Sequence, residues 1–193
     1  QENNAIAVID LTARAITKIL PLGFKDFNTA TNAIDVSDRD AAINFAPWKL
    51  FGIYMPDAIT SMLYNGTTYL FTANEGDKRL STLTLDANAF PNGNTLKQDA
   101  QMGRLNIVTT SGDTDADGDY DALYSLGARS FSIWNGSTGA LVYDSKNELD
   151  VQAKTLNVYD DARSDDKSIE PEAITLGKVG SKTLAFVGLE RVD

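Results

Sequence analysis

Residues 56–75, PDAITSMLYNGTTYLFTANE, and residues 171–190, PEAITLGKVGSKTLAFVGLE, repeat each other without a gap, at a constant offset of 115 residues. Pro56 matches Pro171, Asp57 matches Glu172, and Ala58-Ile59-Thr60 matches Ala173-Ile174-Thr175. Thr68, Phe71 and Glu75 match Thr183, Phe186 and Glu190. Repetition of one supersecondary unit marks an architecture built from copies that cannot bury their apolar faces alone. Each copy reads strand, turn, strand. Asn65-Gly66 supplies the two positive-φ residues of a type I′ hairpin turn. Gly180-Ser181 stands at the same place in the second copy and is expected to turn the same way.

A second kind of hairpin alternates with the first. The segment 130–144, SFSIWNGSTGALVYD, resembles 5–19, AIAVIDLTARAITKI, and both read strand, tight turn, strand. A four-stranded antiparallel blade is one hairpin of the first kind followed by one of the second. The expected fold is therefore all-β, a single partial β-propeller domain. Residues 56–144 form a full blade with an insertion at 78–128, residues 4–20 an outer half blade, and residues 171–193 an inner half blade. Propellers usually have four to eight blades, so the chain reads as an incomplete part of a larger wheel of about seven blades. Its open strand edges invite self-association. The rival architecture is a small sandwich made of the same hairpins.

The rest of the chain is read more coarsely. Residues 21–48 lack periodicity and are expected to be an irregular connection with a turn of helix at Ala41–Phe45. Leu80–Leu85 and Leu105–Thr110 have strand composition. Asn147–Lys154 suits a short helix capped by Ser145. Trp48, Trp134 and Tyr143 sit in apolar patterns and are assigned to the core.

Composition excludes several chemistries. The chain has no His and no Cys, so Cys/His zinc sites, Cys nucleophiles and Ser-His-Asp triads are absent. Any acid–base work falls to Asp, Glu, Lys, Tyr or Arg-tuned groups. A formal net charge of −10 argues against nucleic acid as a partner, because the phosphate backbone would repel it. No apolar run is long enough to span a bilayer, so no membrane insertion is expected.

Acidic residues then define two candidate sites. Asp113, Asp115, Asp117, Asp119 and Asp121 alternate through a loop with Gly118 at its sixth position. That spacing lets side-chain oxygens converge, and calcium takes six to eight oxygen ligands. Tyr124 stands where an EF-hand places its bidentate Glu, so the loop reads as a calcium-type loop in a β context. The second candidate is the end of the repeated hairpins. Asp57 and Glu172 begin equivalent strands, and Glu75 and Glu190 end them. With Arg129 and Arg191 they suit a polar channel that holds a metal and a small phosphorylated ligand. Capping and inter-blade ion pairing would use the same residues. The mixed-charge stretch Asp160–Lys167 reads as a solvated loop, followed by Glu170-Pro171-Glu172 at the channel mouth.

Four long stretches carry a family resemblance: NAIAVIDL with ITKILPLGFKD; PDAI with YLFTANEGDKR; GDTDADGDYDALYSLGARSFSIW; and DDARSDDKSIEPEAITLGKV with TLAFVGLER. Together they resemble the bacterial choice-of-anchor I proteins, relatives of the mesenchyme-specific cell-surface glycoproteins, some of which are labelled alkaline phosphatase. The resemblance implies a β-propeller that is secreted, periplasmic or attached to the cell surface. Two functions are therefore expected: a calcium-binding, non-enzymatic binding or adhesion module, or a metal-dependent phosphoesterase acting through the channel acids.

Overall fold

The two repeat copies become two hairpins of matching register. The computed structural model describes residues 3–77 and 83–192. Strands β5 (Ala58–Tyr64) and β6 (Thr67–Asn74) pair antiparallel from Ala58↔Ala73 to Tyr64↔Thr67. Strands β10 (Pro171–Val179) and β11 (Lys182–Leu189) pair from Pro171↔Leu189 to Val179↔Lys182. The first turn has positive φ at both Asn65 and Gly66, as a type I′ turn requires. In the second, the positive φ is confined to Gly180, the pattern of a type II′ turn, because Ser181 carries a Cβ that disfavours it.

Strands β8 (Ser130–Asn135) and β9 (Leu141–Asp144) join the first hairpin across the insertion. The result is a four-stranded antiparallel sheet in the order β5-β6-β8-β9. Its alternation is buried on both faces. Leu70 lies on one face with Trp134, which packs on Tyr54, Leu22 and Ile6. Phe71, Phe131 and Ile133 point to the other and pack on Ile174, Leu176 and Val187. The hairpin of β1 (Ala5–Asp10) and β2 (Ala15–Pro21) thus covers the Trp134 face, and β10–β11 covers the Phe71 face. The sheets do not close into a ring or barrel among the described residues.

A polar ladder runs through the Trp134 face. The Trp134 indole N–H donates to Thr72 Oγ1 at 2.9 Å, and Thr72 donates to Asn74 Oδ1 at 2.8 Å. Asn74 Nδ2 donates to Ser132 Oγ at 2.8 Å, and Ser130 and Ser132 both donate to Asp144 Oδ2 at 2.7 Å. Lys25 closes the ladder with an ion pair to Asp144 at 2.9 Å. Burial lowers the Lys25 pKa, and Asp144 opposes that shift. Each buried polar group in this ladder has a partner, which low-dielectric surroundings demand.

The insertion and the 21–50 connection fold on one another. Their apolar residues, among them Phe27, Ile34, Leu50, Phe90, Met102 and Leu105, form the largest buried cluster. Here the structure departs from the sequence reading. The connection and insertion contribute β3 (Phe24–Asp26), β4 (Phe51–Ile53) and β7 (Tyr124–Leu126), a small mixed sheet in which β4 and β7 run parallel. Ala41–Phe45 forms no helical turn. The Leu105–Thr110 stretch makes only an isolated bridge at Ile107, and Leu85 only one to Tyr120. The start of the expected Leu80–Leu85 strand lies outside the described residues. These segments are apolar because they fill a core, not because they join a ladder.

Two α-helices are present among the described residues. Helix α1 (Gly93–Leu96) is one turn, and α2 is Glu148–Thr155. The cap of α2 is Asn147 rather than Ser145, whose hydroxyl instead accepts from the Phe131 N–H at 3.0 Å. Trp134 is in the core as expected, and Trp48 packs against the large cluster. Tyr143 is exposed, because it lies on the part of the Phe71 face that β10–β11 leaves uncovered among the described residues.

Candidate functional site

The ends of the repeated hairpins meet. Asp57 precedes β5, Glu75 follows β6, Glu172 lies near the start of β10, and Glu190 follows β11. Carboxylate oxygens of Asp57, Glu75 and Glu172 lie within 4.8 Å of one another, and so do those of Glu75, Glu170 and Glu190. Glu75 belongs to both groups. Glu172 sits where the β10–β11 register shifts, between Pro171↔Leu189 and Ala173↔Gly188. Such a bulge re-aims a side chain that regular pleating would send elsewhere.

Cations from the 160–170 loop neutralise this cluster. Lys167 Nζ pairs with Glu75 Oε1, and with Glu170 Oε2 at 3.0 Å. The Arg163 guanidinium pairs with Glu170 and lies 3.1 Å from Asp166 Oδ2. Arg191 reaches Glu190 at 3.1 Å. Burial raises the Glu75 pKa, against the pull of Lys167. Glu170 is also pushed up by burial, but Arg163 and Lys167 outweigh it and hold its carboxyl below the ordinary value. Burial opposes protonation of Lys167, yet its hydrogen bonds to Glu75 and Glu170 raise its pKa. Glu170 is fully buried with a φ of 51°, a left-handed conformation unusual for a residue with a Cβ. Its carbonyl accepts from the Glu190 N–H at 2.9 Å, which locks the chain after β11 onto the loop.

The acidic loop at 113–121 forms a second centre. Oxygens of Asp113, Asp115 and Asp121 lie within 4.8 Å of one another. Asp117 and Asp119 fall outside that group. Asp113 accepts from the N–H groups of Ala116 at 2.7 Å and Gly118 at 3.1 Å. Positive φ at Ala116 and Gly118 curls the loop, and the Asp113, Asp115 and Asp121 carboxylates converge. The Asp117 charge foremost raises the Asp115 pKa, while hydrogen bonds from Thr114 lower that of Asp121. Crowded like charges of this kind favour a cation or a proton. A third group, Asp35, Asp40 and Asp161, also lies within 4.8 Å, and there Asp35 accepts from the Ser37 and Asn44 N–H groups as Asp113 and Asp121 do from theirs.

A family model for the choice-of-anchor I domain matches residues 1–193. The chain belongs to the choice-of-anchor I family. Gigasin-3a of Magallana gigas is 32% identical over 111 residues, covering 50% of this chain and 39% of that protein. The chain therefore spans about two fifths of the length of this curated relative. No solved structure matches it. Family membership groups the chain with surface-associated domains. No helix among the described residues is long and apolar enough to cross a membrane.

In this choice-of-anchor I domain, Asp57, Glu75, Glu172, Glu190 and Arg191 are brought together, and Arg129 is not. The Arg129 guanidinium is buried and donates to three backbone carbonyls: Asp35 at 2.6 Å, Ser164 at 2.8 Å and Asp166 at 3.0 Å. It pins two loops, and hydrogen bonds to a charged group contribute about 1.5–3 kcal/mol each. The mixed-charge stretch is not solvated as its composition suggests. Ser164, Asp165, Asp166, Ser168 and Glu170 are buried, because Arg129 and Arg163 draw the loop inward. Sequence reasoning missed Arg163 and Lys167 as partners of Glu75 and Glu170. The available signal was the spacing of Arg163, Asp166, Lys167 and Glu170, which forms (i, i+3) pairs on a turn.

Proposed function

We propose that this chain is a calcium-binding module of a secreted, periplasmic or surface-attached protein, with a non-enzymatic role in binding or adhesion. The observation that carries the reading is the convergence of Asp113, Asp115 and Asp121 oxygens in one curled loop. Three carboxylates on one side of a loop more than balance the charge of a hard dication, and backbone carbonyls and water would complete the six to eight oxygens. Calcium binding would tie the insertion together where it is otherwise a run of like charges.

The second reading is a metal-dependent phosphoesterase at Glu75, with Asp57 and Glu172 as ligands and Arg191 for a small phosphorylated ligand. The convergence of Asp57, Glu75 and Glu172 favours it. Against it, Lys167 already pairs with Glu75, and Arg163, Lys167 and Arg191 already surround Glu170. A carboxylate committed to a lysine has one oxygen fewer for a metal. The non-enzymatic reading is therefore preferred.

Titration calorimetry with calcium tests it. One site is expected, with an increase in melting temperature by mass action. Asp113→Asn is expected to weaken binding at least tenfold, while Glu75→Gln leaves it unchanged. Calcium-dependent hydrolysis of a generic phosphoester that is lost in Glu75→Gln and Glu172→Gln would instead establish the enzyme.

A further inference from the structure

The internal repeat can be compared in packing as well as in sequence, and among the described residues two faces lack the cover that their repeat equivalents have. On the first copy, Phe71 is 7% exposed because β10–β11 covers it; its repeat equivalent, Phe186, is 49% exposed. On the second copy, Ile174 is 8% exposed because the Phe71 face covers it; its equivalent, Ile59, is 51% exposed. The same holds for the other kind of hairpin. Trp134 is buried, and Ile9, which occupies its place in the 5–19 segment, is exposed together with Ile16 and Ile19. Both terminal hairpins are thus apolar on both faces. In sheets, that pattern belongs to strands covered on both sides.

The free edges match in the same way. In the central sheet, β6 pairs antiparallel with β8 through Leu70↔Trp134, Phe71↔Ile133 and Thr72↔Ser132. Strand β11 is the repeat of β6, and β1 is the counterpart of β8. Neither has a partner on its second edge among the described residues. Carrying the register across sets Ala185 opposite Ile9, Phe186 opposite Val8, and Val187 opposite Ala7. The two strands cannot meet within one molecule, since β1–β2 and β10–β11 lie on opposite faces of the central sheet. Beside β1, however, a groove of about 250 Å³ opens between Ala5-Ile6-Ala7 and Pro56–Ile59.

We infer that the β10–β11 hairpin of a second copy of this chain inserts into that groove. Its β11 edge pairs with β1, and its Phe186 face lies over Ile59. One docking event then completes a second four-stranded sheet, of order β10-β11-β1-β2 with two strands from each copy. It covers Phe186 and Ile59 on one side of that sheet. On the other side, Ile9 and Ile16 come to lie over the exposed part of the donor's Phe131–Tyr143 face. Pairing of this type takes its affinity from main-chain hydrogen bonds and its register from alternate side chains. Each copy offers one hairpin and one groove, so the contact is head-to-tail and produces a ring or a filament. The inference is independent of calcium.

Sedimentation of the intact chain across roughly 1 µM to 1 mM tests it. The mass is expected to rise with concentration. Phe186→Glu and Ile59→Glu each place a charge on an already exposed position, so the fold should persist by circular dichroism while the dissociation constant rises by roughly tenfold or more. The chain lacks cysteine, so Ile9→Cys with Ala185→Cys reads the register. Mild oxidation is expected to give covalent oligomers, and Ile9→Cys with Val179→Cys is expected to give none. A wild-type chain that stays monomeric throughout overturns the inference and leaves the groove to a hairpin of a longer chain. Association that survives both glutamate variants, or cross-linking of the Val179 pair instead, also overturns it.

Discussion

Single residues in this protein are set by what surrounds them more than by their type. Arg129 looks like a ligand-binding arginine in the sequence and is a brace between loops in the structure. Asp35 is one of many acids in the sequence, yet it is almost fully buried and burial pushes its pKa up to about 6, against the pull of the Asn44 and Ser37 N–H groups. The native carboxyl therefore keeps its proton to a higher pH than the unfolded one, whose pKa is about 3.9. Between those values the native state binds more protons, so stability falls as pH rises from about 4 through about 6. Urea unfolding in chelator across that range is expected to show this slope, and Asp35→Asn is expected to flatten it. An unchanged slope would mean that other acids carry it. The lesson for the candidate site is similar. Asp57, Glu75, Glu172 and Glu190 were legible as a set from their repeated positions. Arg163 and Lys167 were not, because a mixed-charge stretch looks the same in a sequence whether it is hydrated or folded inward.

Among the elements, hairpins were the most legible. The strands of 5–20, 58–74, 130–144 and 171–189 follow from alternation and turn residues acting within a few positions of one another. The β3-β4-β7 sheet was not legible, since its three short strands come from distant segments and owe their pairing to the core beneath them. Two glycines mark where this sheet meets the site. Gly76 and Gly127 have φ of 94° and 113°, and each backbone touches the other. A Cβ on Gly127 would collide with the Glu75 carbonyl oxygen, and one on Gly76 with Leu126 and Gly127 backbone atoms. Gly127→Ala combines a disfavoured φ with a backbone clash, so it should cost more than ~1 kcal/mol in equilibrium unfolding. It should also disturb Glu75, which is read as a weaker ion pair with Lys167. A neutral Gly127→Ala would show that the two strands separate without cost.

Among the described residues, three of the four β-sheets stack as layers, and the middle one is covered on both faces. Local opening is cheapest where few buried contacts must break. Amide hydrogen exchange is expected to be slowest in β6 and β8 and faster in β1–β2 and β10–β11 at low concentration. Protection of β1 and β11 should then grow with concentration, since both edges are consumed when copies associate. Uniform protection at every concentration would argue that the terminal hairpins are already as stable as the centre.

The sequence by itself determined the hairpins, their two kinds, their alternation and the repeat, because these depend on residues close together in the chain. It also determined the family and the absence of histidine and cysteine chemistry. Only the tertiary structure decided how the insertion forms a core, which acids are neutralised by which cations, and which apolar faces are left open. Those depend on desolvation and on partners as far apart in the chain as Lys25 and Asp144, and neither spacing nor composition records that.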